Sequence, residues 1–316
     1  MIAFIKSVLE ETYEICLTLF KILIPTIIVI KLLKETGLVE LIGKVLEPLM
    51  FLAGLPGEMG IVWATTLSTN LYGGVIAMAS IGKDLDLTVA QATVMASMML
   101  MAHGFPVELQ ISKKAGARFR GMFAFRFGSA MIFGVLLNLF YSYFNLLQEP
   151  VSILYTPAKV DNTLTGWAYG EFINLGYIVI IVFLLILMMK SLEKSGAIEL
   201  INKLCKPLLK IMGIGEQAAY VTVVGFTLGL SYGGGLIIKE AKSGKIPHRD
   251  VFFSLGFMGI CHSMVEDTVL MMAVGGDISG ILFLRTIFSV LFVAFLVRIT
   301  AFVPERFFYR WLFVNQ

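Results

Sequence analysis

Long apolar runs separated by short clusters of charge recur from one end of the chain to the other. Runs at about 14–34, 88–112, 120–147, 172–191, 249–275 and 278–303 each supply the roughly 20 residues a helix needs to cross about 30 Å of hydrocarbon. Two stretches keep helical spacing but place charges between the apolar positions: 38–53, with Lys44 and Glu47, and 197–212, with Lys203, Lys206 and Lys210. That pattern predicts amphipathic helices lying in the membrane interface. Two more are interrupted by small and polar residues, Ser68-Thr69-Asn70-Leu71-Tyr72-Gly73-Gly74 and Leu230-Ser231-Tyr232-Gly233-Gly234-Gly235. Consecutive glycines leave backbone poorly shielded from lipid, so both breaks are expected to face protein or a water-filled cavity.

The order of these elements repeats. Leu192 to Gly213 lies on Leu33 to Gly54 without a gap, and nine of the 22 pairs are identical, among them Gly37/Gly196, Lys44/Lys203 and Pro48/Pro207. Chance gives about one or two identities over such a length. The register continues through Tyr72-Gly73-Gly74 against Tyr232-Gly233-Gly234 with one residue of slip, and returns to the original offset at His103 against His262. The chain therefore reads as a duplication. Residues 1–147 form one copy, with a hairpin at about 58–82 and a broken helix at about 88–112. Residues 148–171 are a connector, and 172–316 form the second copy, with a hairpin at about 216–241 and a broken helix at about 249–275.

Basic residues arbitrate the topology. If each Gly-broken stretch re-enters and returns, 16 lysines and arginines fall on one side and five on the other; if it crosses, the split is nine to 12. The hairpin arrangement restores the bias expected of a cytoplasmic face. It also gives three crossings per copy, and an odd number inverts the second copy relative to the first. The predicted fold is thus an all-α polytopic membrane protein of two inverted repeats, each helix, interfacial amphipathic helix, re-entrant hairpin, broken helix, helix. The connector is placed outside the cell and both termini in the cytoplasm, in a bacterial inner membrane.

Composition agrees: 58% hydrophobic residues, 15% charged and a mean hydropathy of +0.86 exclude a soluble domain of this size, which would be covered in apolar surface. A net charge of +3 with no basic arm excludes a nucleic-acid partner. Residues 1–13 have no apolar core of a secretory leader. Cys16, Cys205 and Cys261 have no disulfide or zinc spacing and are read as packing residues. Arg126, Arg285 and Arg298, near predicted helix ends, are read as snorkelling to the interface.

Chemistry is sought where ionisable groups fall inside membrane segments, because each is costly there unless paired or hydrated. In the first copy His103-Gly104-Phe105-Pro106-Val107-Glu108 lies within 88–112, where Gly104 and Pro106 can break the helix and free carbonyls for an ion. In the second, Cys261-His262-Ser263-Met264-Val265-Glu266-Asp267 lies midway along 249–275. The duplication equates His103 with His262 and Glu108 with Asp267. On a continuous helix His262 and Glu266 would share one face and Asp267 would point roughly 100° away, toward another partner such as a hairpin tip. His103, Glu108, His262, Ser263, Glu266 and Asp267 are the first candidates for a substrate or ion site. The tip residues Asn70, Tyr72, Ser231 and Tyr232, with Ser68 and Thr69, follow, because helix ends at the tips would aim backbone N–H groups at a polar ligand. These groups can bind protons as a coupling element or pair with an organic solute. His103, Glu108, His262 and Glu266 can alternatively ligate a divalent metal. They can also simply lock helices together. No nucleophile and base stand together with independent support, so no enzyme is predicted, and no organic cofactor.

Helix, interfacial helix, re-entrant hairpin, broken helix and helix, repeated in inverted form over about residues 14–303, resembles the core of the concentrative nucleoside transporters. It is more closely similar to the nucleoside-recognition or Gate domain membrane proteins, which include spore maturation proteins and the membrane part of the bacterial ferrous-iron transporter B. The chain departs from the nucleoside transporters at the first tip, where Thr69-Asn70-Leu71-Tyr72 stands instead of a Gly-Gln-Thr/Ser-Glu signature, so the resemblance does not carry nucleoside as substrate. It also lacks a Gly-x-x-x-x-Gly-Lys-Ser/Thr loop, which separates it from a complete iron transporter with a GTPase domain. The resemblance implies an alternating-access, elevator-like secondary transporter of a small polar solute coupled to H+ or Na+. The other readings are a divalent-metal permease and a non-transporting sensor or assembly module. The expected partners are the solute, the ion and the lipid bilayer; any homo-oligomer would have to associate through membrane helices.

Overall fold

The computed structural model describes residues 2–36, 47–154, 163–196, 200, 203, 207, 210–215, 218, 222–223, 225–226, 237–238, 240–241, 244 and 246–314. The interfacial segments expected at 38–53 and 197–212 and the second hairpin at 216–241, with Ser231 and Tyr232, fall wholly or largely outside these residues. Among those described there is no β-strand.

The chain opens with α1 (Ile2–Glu35), which starts well before the apolar run at 14. Charge pairing explains the extension: Lys6 meets Glu10 at 3.7 Å along one face, and Glu11 is held at 2.7 Å by Lys190 of α7 (Leu164–Lys194). Helix α7 likewise begins ahead of its expected start at 172, taking residues from the segment read as a connector. The two helices pack along one another through Val8, Cys16, Ile27, Val182 and Ile186, a small core that reaches the rest of the protein at Ile76.

Two short apolar helices follow, α2 (Met59–Ser68) and α3 (Leu71–Ile81). At 1.5 Å per residue each is about 15 Å long, half of what a crossing requires. The chain reverses between them. Asn70 leaves helical geometry and its side chain accepts a hydrogen bond from the Gly73 N–H at 2.9 Å, capping α3. Gly74 then lies directly on α2, where a Cβ would overlap Thr66 Oγ1. Residues eight apart on a continuous helix would be about 12 Å apart.

A helix broken in its middle comes next: α4 (Val89–Met101), started by a reciprocal Thr88–Gln91 capping box, and α5 (Phe105–Lys114). Helix α6 (Phe119–Tyr143) follows. After α7 the next helix among the described residues lies 159 residues on from α4. Helix α8 (His248–Ile260) matches α4 at both ends, and it is followed by a break and the short α9 (Glu266–Met272). A π-helical stretch, Ser279–Leu284, leads into α10 (Arg285–Ala301), and α11 (Glu305–Trp311) closes the order.

Among the described residues four helices are long and apolar enough to cross a membrane: Val89–Lys114, Phe119–Tyr143, Leu164–Met188 and Ser279–Ala301. The first is largely enclosed by protein and the third largely exposed. On the π stretch and α10, Phe283, Ile287, Leu291, Phe295 and Ile299 recur every fourth residue and are 44–60% exposed, while Ser289, Val290, Val293 and Ala294 are buried. Such an apolar stripe on the outside fits lipid as the solvent.

Candidate functional site

Both broken helices unwind at their histidine. In the first, Gly104 takes the left-handed conformation (φ +57°) and Pro106 stands in the first turn of α5, so the chain turns where sequence chemistry allows it. The Gly104 N–H donates to the Thr66 carbonyl of α2 at 3.0 Å, tying the break to the hairpin. The second break has neither glycine nor proline. Here Ser263 takes the positive φ, +46°, and α9 resumes at Glu266. A serine held in that region carries strain that its surroundings must offset.

The two breaks meet. His103 and His262, 6% and 5% exposed, have ring centroids 5.0 Å apart. Each ring uses Nδ1 to bond the carbonyl four residues earlier, Met99 at 3.0 Å and Met258 at 2.6 Å. Glu108 Oε1 lies 3.1 Å from His103 Nε2 and 3.7 Å from His262 Nε2. The other oxygen of Glu108 accepts from Arg126 of α6. Asp267 Oδ2 stands 4.0 Å from His262 Nε2. Arg126 also donates to the Met101 carbonyl at 3.3 Å and lies over the Phe105 ring. Gly259 of α8 makes room for it, since a Cβ there would meet Arg126 Cδ at 2.8 Å.

The structure corrects the sequence reading at three points. Because the helix is broken between His262 and Glu266, they do not share a face; Asp267 is the carboxylate that turns toward His262. Glu266 is the one that meets a hairpin tip, accepting from the Tyr72 hydroxyl at 3.2 Å. Arg126 and Arg285 do not snorkel: both are buried, 1% and 0% exposed. Arg126 is paired with Glu108, whereas Arg285 donates to Met264 Sδ at 3.3 Å, and its Nε and Nη1 have no hydrogen-bond partner among the described residues. The two arginines stand at the same repeat offset as the two histidines, the signal by which the sequence could have found them. Arg298 is exposed and donates to the carbonyls of Ala294 and Ile211.

Of the tip residues, Asn70 is occupied as a cap, and Ser68 and Thr69 bond back to carbonyls of their own helix. Ser263 sits in the break, half-buried.

Residues 16–114 match the nucleoside-recognition (Gate) family, which spans the first helix, the hairpin and the first broken helix and bears out the resemblance read from the sequence. The chain is 26% identical over 287 residues, 90% of each protein, to the uncharacterized membrane protein YvoD of Bacillus subtilis (strain 168). No solved structure matches it significantly. Residues 16–114 thus match a Gate domain, in a chain with four helices long and apolar enough to cross a membrane among the described residues.

Proposed function

We propose that the protein is a secondary transporter of the cell membrane, moving a small polar solute by alternating access with H+ or Na+ as coupling ion. The observation that carries this reading is the meeting of the two helix breaks, which brings His103, His262, Glu108 and Asp267 together within the membrane-spanning core. Ionisable groups are expensive at that depth and mark ion or substrate paths. Unwound helices offer free backbone carbonyls and helix ends to a ligand.

Three further features support it. Helices α2 and α3 are too short to cross but long enough to enter, turn at Asn70 and return. Repeated elements with an odd number of crossings would be inverted, and exchanging the conformations of two inverted copies opens a central site to the other side. The copies also differ in state: Arg126 is closed on Glu108, while the equivalent Arg285 rests on a sulfur. Alternating access requires such a difference between copies in either end state.

The test is a thermal-shift screen of the purified protein against nucleosides, nucleobases, amino acids and polyamines, in sodium and in potassium buffers, with Glu266→Gln alongside. A ligand that binds the native state stabilises it by about 2.7 kcal/mol at a hundred times its Kd. A solute that raises the melting temperature of the parent but not of the variant, and that enters proteoliposomes under a proton or sodium gradient, is the expected result. No stabilisation and no uptake by any solute would set the transporter aside in favour of a sensor or assembly module.

A further inference from the structure

We propose that His103, His262 and Asp267, with Glu108 beside the two rings, form a binding site for one divalent first-row transition metal ion. The argument begins with the tautomers. A backbone carbonyl only accepts, so the bonds from Nδ1 to Met99 and Met258 place a proton on each Nδ1. In the neutral ring Nε2 then presents a lone pair. This is the arrangement in which metal-ligating histidines are held, the far nitrogen bonded to a carbonyl and the near one free to donate electrons.

Both lone pairs face carboxylate oxygens, at 3.1 Å, 3.7 Å and 4.0 Å, and one ligand atom each of His103, His262 and Asp267 lies within 4.8 Å of the others. Acceptor against acceptor is repulsive until a cation is shared. A single proton can bridge the 3.1 Å contact, but the other two separations, 3.7 Å and 4.0 Å, exceed hydrogen-bond range. A metal ion can be shared by one atom each of His103, His262 and Asp267, which lie within 4.8 Å of one another: with bonds of about 2.0–2.1 Å, tetrahedral ligands stand about 3.4 Å apart. The 4.0 Å between His262 Nε2 and Asp267 Oδ2 has to close by about 0.6 Å to reach that value.

The donor set names the ion class. Two imidazoles with a carboxylate suit Zn2+, Fe2+, Mn2+ or Co2+, whereas Mg2+ and Ca2+ prefer oxygen ligands. Arg126 on the second oxygen of Glu108 orients that carboxylate as outer-shell partners orient ligands elsewhere. Glu266 is not a ligand here, being engaged by Tyr72. Cys261, adjacent to His262, is buried with its thiol toward Met264 and Thr286 and also stands apart from the set.

Chelator-stripped protein in detergent, titrated with Zn2+ and with Co2+ and analysed for bound metal by mass spectrometry, tests the site. We expect about one ion per chain, a visible cobalt spectrum of tetrahedral nitrogen and oxygen ligation, and no thiolate-to-cobalt charge-transfer band. Asp267→Asn and His262→Gln should each weaken binding by at least about 10–100-fold, the scale seen when metal-site shells are altered; Cys261→Ser should leave it unchanged. The cobalt spectrum is read on the unmodified chain, so a variant that fails to fold does not stall the test. Absence of stoichiometric binding, a thiolate band, or binding unmoved in folded Asp267→Asn and His262→Gln overturns the proposal. No gradient or solute enters this measurement, so it fails or succeeds independently of the transport reading.

Discussion

Arg126 and Arg285 are separated along the chain by the same offset as His103 and His262 and are both wholly buried, yet Arg126 closes on Glu108 while Arg285 lies against the sulfur of Met264. Removing one partner of a buried pair strands the other charge, at about 3–5 kcal/mol. Arg126→Met should therefore lower stability by about that amount in a detergent melt, and adding Glu108→Gln should recover a large part of the loss. Arg285→Met strands no directly paired carboxylate and should cost clearly less. Equal losses at the two arginines would show that the asymmetry between them has no energetic weight.

The hairpin depends on the backbone contact at Gly74. A methyl group there overlaps Thr66 Oγ1 and meets Met99 Cε at 2.6 Å, and forced overpacking of this kind costs about 1–3 kcal/mol. Gly74→Ala should lower the melting temperature, and Thr66→Ala in the same chain should return part of it. A Gly74→Ala protein as stable as the parent would mean that α2 and α3 do not approach as described.

At Gly104 space is ample but the backbone is left-handed: an added Cβ meets Glu108 Oε1 at 3.4 Å, with φ at +57°. Gly104→Ala should cost about 1–2 kcal/mol through backbone conformation. Its larger effect is expected on the ligand response of the site, because any relief of φ moves His103 relative to Glu108. The screen that measures stabilisation by solute, and the metal titration, both report it; unchanged responses in both would place the break outside the site.

Tyr72→Phe removes the hydrogen bond that docks the first hairpin tip on Glu266. A bond to a charged group contributes about 1.5–3 kcal/mol, so the variant should melt lower, and exchange of backbone amides in α3 should quicken. Protection of α3 equal to that of the parent would assign the tip's position to apolar packing alone.

Much of this protein was legible without a structure. The membrane class, the internal duplication and the two histidines follow from residue type and spacing along one chain. So does the first break, because Gly104 and Pro106 act through their own backbone chemistry. What spacing could not yield is anything that depends on elements meeting. The second break has no Gly or Pro, and Ser263 is held at φ +46° by its surroundings. The segment 249–275 is expected to be broken, but applying i, i+4 spacing across the break puts Glu266 on the face of His262, when the unwound chain gives that place to Asp267. Tyr72 reaches Glu266, 194 residues further along the chain, only because α2 and α3 fold back and dock there. Arg126 and Arg285 look peripheral in sequence because they fall near the ends of apolar runs. They are central in the fold because α6 and α10 pack around the two breaks, and burial is a property of neighbours, not of a residue's place in its own helix.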